Sequence, residues 1–128
     1  EVNCETDFVA RSPEFRDLAH NVAIQIASSA PTYIKREDVP AEEVAAQTAT
    51  FKEEILKQGK PENIAERAAT GKMEAFYAEV CLMDQVYVKD PDGKLKMKDV
   101  VTQAVSKIGE NIVIRRFSRY QLGETVAN

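Results

Sequence analysis

A chain of 128 residues with 44% hydrophobic and 30% charged residues and only 5 glycines is long enough to bury a core and too apolar to be disordered. No run of residues approaches the roughly 18 apolar positions that a membrane helix needs. The net charge of -4 excludes a nucleic-acid binder that relies on its overall field, though not one with a local basic patch.

Val2 and Cys4 alternate with Glu1, Asn3 and Glu5, the period of two of a strand with one apolar face. The alternation stops at Thr6-Asp7-Phe8-Val9, which the sequence predicts to be a short link into a helix capped by Ser12 and opened by Pro13. Phe15, Leu18, Ala19, Val22, Ala23 and Ile26 give that helix, residues 13–29, an apolar stripe, and Pro31 ends it by disfavouring helical geometry at Ala30. Residues 32–35 read as a brief edge strand or a loop. Pro40 opens the next helix, 41–58, with Val44, Thr48, Phe51 and Ile55 on one seam and Gly59 as its stop. Pro61 restarts a helix over 62–83 through Ile64, Ala65 and Ala68, with a bend expected at Gly71 before Ala75, Phe76, Val80 and Met83 continue the pattern. Joined by so short a turn, these two helices form an antiparallel hairpin.

Asp90-Pro91-Asp92-Gly93 is strong turn chemistry between residues 86–88 and 95–97, which form a surface hairpin or an irregular loop. Residues 98–108 make a further helix with Val101, Ala104, Val105 and Ile108 inward, closed by Gly109. Residues 112–122, rich in β-branched and aromatic side chains, read as the longest strand, and the tail after Gly123 is expected to fray. Strands separated by helices give one α+β domain over residues 1–128: a small antiparallel sheet packed against helices, with a helical hairpin.

Few residues suggest chemistry. His20, the only histidine, lies off the apolar stripe with no base, nucleophile or metal partner placed near it, so it reads as solvated. Cys4 and Cys81 lack metal-ligand spacing and read as small buried side chains rather than reactive thiols. Glu42-Glu43 and Glu53-Glu54 read as solvated helix faces. Glycine-rich phosphate loops are absent, so the chain itself is not expected to bind a nucleotide. Arg115, Arg116, Phe117, Arg119 and Tyr120 could form an RNA platform, but alternation splits the arginines between two faces, and pairing with Glu1 or Glu5 is the more economical use. For Asp7 and Phe8, the residues alone predict a turn capped by Asp7 and a phenylalanine folded into the core.

The run from Asn3 through Cys4-Glu5-Thr6-Asp7-Phe8-Val9-Ala10-Arg11 resembles a signature of the elongation factor Ts family. Gly59-Lys60-Pro61, Ile64-Ala65-Glu66, Phe76, Val88-Lys89-Asp90 and the stretch from Ile108-Gly109-Glu110-Asn111 to Arg115-Arg116-Phe117 resemble further family landmarks in family order, so the likeness spans nearly the whole chain. The resemblance implies a core and dimerisation domain of a guanine nucleotide exchange factor that binds elongation factor Tu and promotes release of GDP and magnesium. No catalytic residue, cofactor or resident metal is implied, nor direct contact with nucleic acid or membrane.

It also implies that Thr6, Asp7, Phe8 and Val9 bind the partner, with Phe8 wedging between two of its histidines near the nucleotide magnesium. Family members begin with a small helical module that has no counterpart here, so a segment upstream of Glu1 is expected to be missing. Longer members carry two related core halves; the single copy here implies a homodimer, without a covalent link where some relatives have a cysteine and this chain has Ser118. The implied compartment is the bacterial cytoplasm, or the interior of a chloroplast or mitochondrion. A ribosome-associated or scaffold protein of the same fold without exchange activity is the alternative, and a small hydrolase or RNA-binding domain is a more distant one.

Overall fold

The computed structural model describes residues 1–125; the expected fraying of the tail lies, for residues 126–128, outside the described residues. Two strands, β1 (Val2–Asn3) and β2 (Val113–Ile114), pair antiparallel with Val2 opposite Ile114 and Asn3 opposite Val113. Five helices accompany them: α1 (Asp7–Ala10), α2 (Pro13–Ser29), α3 (Ala41–Lys57), α4 (Glu62–Val80) and α5 (Met97–Ile108). Short 3-10 turns stand at Arg36–Asp38 and Leu82–Asp84. The architecture is the expected α+β fold.

Local chemistry sets most boundaries. The Ser12 hydroxyl accepts the Phe15 amide at 3.3 Å ahead of Pro13, and α2 ends at Ala30, whose φ of 45° is left-handed. The main core gathers one face of α2 (Phe15, Leu18, Val22, Ile26) against Leu82, Met97 and Val101, and β2 closes it with Ile112 and Ile114. Met97 opens α5 one residue earlier than predicted and is fully buried.

The predicted stripe of α2 needs two changes. Ala23 is exposed, while Gln25 is fully buried. Its side-chain nitrogen donates to the Val86 carbonyl at 3.0 Å and to Gln85 Oε1 at 3.2 Å, and its oxygen accepts the Val88 amide at 2.8 Å. Gln85 in turn donates to the Glu79 carbonyl at 2.8 Å. With these groups satisfied, burial of two amides stabilises the docking of residues 85–88 instead of opposing it.

The hairpin forms as predicted, but α4 runs without a break at Gly71 and stops at Val80 rather than 83. Ala65, Ala69 and Met73 are buried along α4, and the resulting contacts outweigh the roughly 1 kcal/mol by which a helical glycine is disfavoured. Ala75 is exposed and takes no part in the seam. The helix ends because Cys81 turns to an extended conformation and forms a parallel bridge with Tyr33, after which the Leu82 amide donates to the Tyr33 carbonyl at 2.9 Å. Residues 32–35 thus make one bridge and no strand. Residues 86–96 are a loop with a single antiparallel bridge, Val86 to Lys96, shaped by Asp90, whose carboxylate accepts the Lys94 and Leu95 amides at 2.8 Å each. Those amides, Leu95 first, hold the Asp90 carboxyl below its ordinary pKa.

Residues 112–122 do not make a long strand. Only Val113–Ile114 pair with β1; beyond them the Arg115 amide donates to the Glu1 carbonyl at 2.9 Å and the Glu1 ammonium donates to the Arg116 carbonyl at 2.8 Å. High strand propensity does not substitute for a neighbour.

Because Gly71 is exposed and a β-carbon built on it meets nothing within 4 Å, Gly71→Ala is expected to raise stability by about 0.5–1 kcal/mol. Chemical denaturation would check this, and an unchanged or lower midpoint would mean that α4 needs flexibility there.

Candidate functional site

The short link predicted at residues 6–9 is a single helical turn, α1, and its cap is Thr6 rather than Asp7. The Thr6 hydroxyl accepts the Val9 amide at 3.2 Å, and the Ala10 amide donates to the Thr6 carbonyl at 3.1 Å. Val9 points inward, half-buried against the main core, and its carbonyl accepts the Ser12 hydroxyl at 2.7 Å. That anchorage forces the other side of the turn outward. Phe8 is 84% exposed, against the core position that residue type alone predicts and in keeping with the outward position that the family resemblance implies.

Asp7 is also exposed and lies 3.5 Å from Arg11, an ion pair between well-solvated groups that contributes little. Beside Phe8, an open recess of about 400 Å³ is lined by Asp7, Phe8, Arg11, Ser12 and Pro13. The four residues named from the sequence therefore stand together in two roles, with Thr6 and Val9 shaping the turn and Asp7 and Phe8 presented on it.

One further residue belongs to this site and was not singled out by spacing. Glu110, just past the end of α5, accepts the Glu5 and Thr6 amides at 3.0 Å each through Oε1 and the Thr6 hydroxyl at 2.7 Å through Oε2. The sequence signals were its place in the landmark Ile108-Gly109-Glu110-Asn111 and directly after Gly109, whose φ of 81° makes the left-handed cap that turns the chain back toward β1.

Elsewhere the arrangement favours structure over chemistry. Glu1 sits between two of the arginines, 2.5 Å from Arg116 Nε and 3.8 Å from Arg115, and its carboxyl is held low by Asn3 and then Arg116. Arg119 donates instead to the Ala27 carbonyl at 3.3 Å, so no single basic stripe forms. His20 is exposed. Cys81 is fully buried, and desolvation pushes its thiol up to about 11, a poor nucleophile. Cys4 is half-buried, its thiol donating to the Thr6 carbonyl at 3.2 Å. Among the described residues no group of three or more His, Cys, Asp or Glu could hold a metal ion, and no helix is long and apolar enough to cross a membrane.

The Thr6 hydroxyl, with the two amides, lowers the pKa of Glu110 from its ordinary value near 4.3. A depressed carboxylate pKa stabilises the fold above the unfolded-state value, and that stabilisation is lost as pH falls through the folded-state value. The Thr6 amide resonance is therefore expected to titrate with a midpoint below that of an unperturbed glutamate; an NMR pH series giving a midpoint at or above that of a free glutamate would show that the clamp does not favour the ionised form.

The elongation factor TS family matches residues 16–97, from α2 to the first residue of α5, a segment that begins after the α1 turn. The elongation factor Ts of Carboxydothermus hydrogenoformans is 46% identical over 127 residues, which cover 99% of this chain and 58% of that protein. That of Moorella thermoacetica is 47% identical, covering 98% and 61%, and that of Anaeromyxobacter sp. (strain K) is 55% identical, covering 97% and 56%. The chain thus spans less than two thirds of the length of these relatives. By this match over most of its residues, the chain belongs to the elongation factor Ts family.

Proposed function

We propose that the chain is the core of a guanine nucleotide exchange factor that binds the translational GTPase elongation factor Tu and speeds its release of GDP. The observation that carries this reading is Phe8, a large apolar side chain left 84% exposed on a turn whose backbone is held from both ends. Burying a phenylalanine stabilises a complex by about 1.5–3 kcal/mol, and an aromatic has few rotamers to freeze. The family relationship supplies the partner.

In this reading no bond is made or broken by the chain, which therefore acts as a binding protein and not as an enzyme. Phe8 and Asp7 enter the GTPase close to its nucleotide magnesium, so that the chain and the nucleotide favour different arrangements of the same site. By linkage, each weakens the other's binding by one common factor. The compartment is then the one in which elongation factor Tu works, the bacterial cytoplasm or an organelle interior. A ribosome-associated or scaffold role without exchange would leave GDP release unchanged.

We also propose that two copies assemble. A recess of about 360 Å³ lies between α2 and residues 114–120, with Ala19, Ala23 and Ile26 on one wall and Ile114, Phe117 and Tyr120 on the other. A second copy related by a twofold axis would supply the apolar cover. Light scattering is expected to give about twice the chain mass of 14.3 kDa at micromolar concentration, and the chain mass alone would refute the dimer.

Phe8→Ala is expected to slow GDP release from the cognate GTPase by on the order of thirtyfold, about 2 kcal/mol of interface energy. Its melting transition should hardly move, since the ring is exposed in the free chain. Normal exchange by the variant would remove Phe8 from the mechanism.

A further inference from the structure

A carboxylate more than 100 residues away in sequence determines the shape of the turn that carries Phe8. Three donors converge on Glu110: the amides of Glu5 and Thr6 and the Thr6 hydroxyl. The hydroxyl commits its only hydrogen to Glu110, which leaves its lone pairs to accept the Val9 amide at 3.2 Å. Carboxylate, hydroxyl and amide thus form one chain of hydrogen bonds, in which the charged end strengthens the next member. Val9 is the inward residue of α1 and Phe8 its outward neighbour, so what fixes one fixes the other.

The base of the clamp is firm. Gly109 turns the chain at the end of α5, and Ile112, two residues beyond Glu110, is buried in the main core. The hydrogen bonds of the Glu110 carboxylate all go to residues 5 and 6, and among the described residues no cation forms a salt bridge with it. A side chain serving general stability would be expected to bond to the body of the fold, whereas this one bonds to the base of the presented turn.

We infer that Glu110 is a positioning residue for nucleotide exchange: it fixes the direction in which Phe8 leaves the surface, and acts on the partner only through that ring. The inference rests on the exchange reading. It predicts a particular pattern of coupling, because a residue that works through Phe8 has nothing left to position once the ring is gone.

The test is GDP release from the cognate GTPase, measured across rising concentrations of the chain so that affinity and saturated release rate are read separately. The variants are Phe8→Ala, Glu110→Ala, Glu110→Gln and the double substitution Phe8→Ala with Glu110→Ala. Glu110→Ala is expected to slow release by about tenfold, and by no more than the roughly thirtyfold loss of Phe8→Ala, through which it acts. Glu110→Gln, which keeps a neutral acceptor, should lose less. In the Phe8→Ala background, Glu110→Ala should slow release by no more than about twofold further.

Equal losses in both backgrounds, or a normal rate from Glu110→Ala while Phe8→Ala is slow, would overturn the inference and leave the exchange reading standing. A normal rate from Phe8→Ala would overturn both. Should Glu110→Ala fail to fold, Thr6→Val, which deletes the middle hydroxyl of the same chain of hydrogen bonds, must show the same loss and the same dependence on Phe8; an additive loss would overturn the inference equally.

Discussion

The antiparallel pairing of Val2–Asn3 with Val113–Ile114 is the contact on which the presented turn depends. A two-stranded ribbon is marginal by itself. Here its inner face is part of the main core: Ile112 and Ile114 are buried, and Val2 and Cys4 pack against the same cluster from the other strand. Glu1 adds a carboxylate shared between Arg115 and Arg116 at the far end of the ribbon. A slip of one residue would turn Ile114 to solvent, so the core enforces the register. Only with that register fixed does Glu110, three residues before β2, lie against Thr6, three residues after Asn3.

The hairpin is attached by different means. Its cluster, Ile55 with Ala65 and Ala69 and the flanking Phe51 and Ala68, shares no residue with the main core. Polar contacts join the two. Arg36 makes two bonds to Glu74 on α4 at 2.9 and 2.6 Å, reaches buried Asp84 at 3.2 Å, and stacks 4.6 Å over the Tyr77 ring. Glu74 and then Asp84 hold its guanidinium still more firmly protonated than usual. Tyr33 bonds to Glu43 on α3 while its backbone bridges to Cys81 after α4. Asp84 would otherwise keep only Lys98, at 3.8 Å, so the arginine compensates a charge that burial would strongly disfavour.

What the sequence disclosed was local, and what it hid was long-range. Ser12-Pro13, Pro40 and Gly109 mark helix ends because caps and left-handed turns depend on a few adjacent residues, and the seam through Ile55 marks the hairpin because helical periodicity is local as well. The strand over residues 112–122 is only Val113–Ile114, because pairing depends on a segment distant in sequence and not on local propensity. Gly71 stayed helical because α3 packs on the same helix. The burial of Gln25 left no local sign in the sequence because its partner, Gln85, is 60 residues away. For the turn, residue type alone put Phe8 inside, whereas the family resemblance gave it an outward role. Glu110 stood within a quoted motif, but its reach to Thr6 exists only once β1 and β2 have met.

The size of the ordering cost explains why such a turn would need a clamp. An α-helix of 4 residues is far below the length at which a helix is stable alone, since its nucleus fixes several dihedrals for one hydrogen bond. Ordering four residues on contact with a partner would cost about 4–8 kcal/mol of backbone entropy. Burial of the Phe8 ring returns only about 1.5–3 kcal/mol. A disordered turn would therefore lose more by ordering than its aromatic gains by insertion, and the balance becomes favourable only if the ordering is completed when the chain folds. Thr6, Val9, Ser12 and Glu110 complete it there, which would leave only the two side-chain torsions of Phe8 to be fixed if the ring enters a partner.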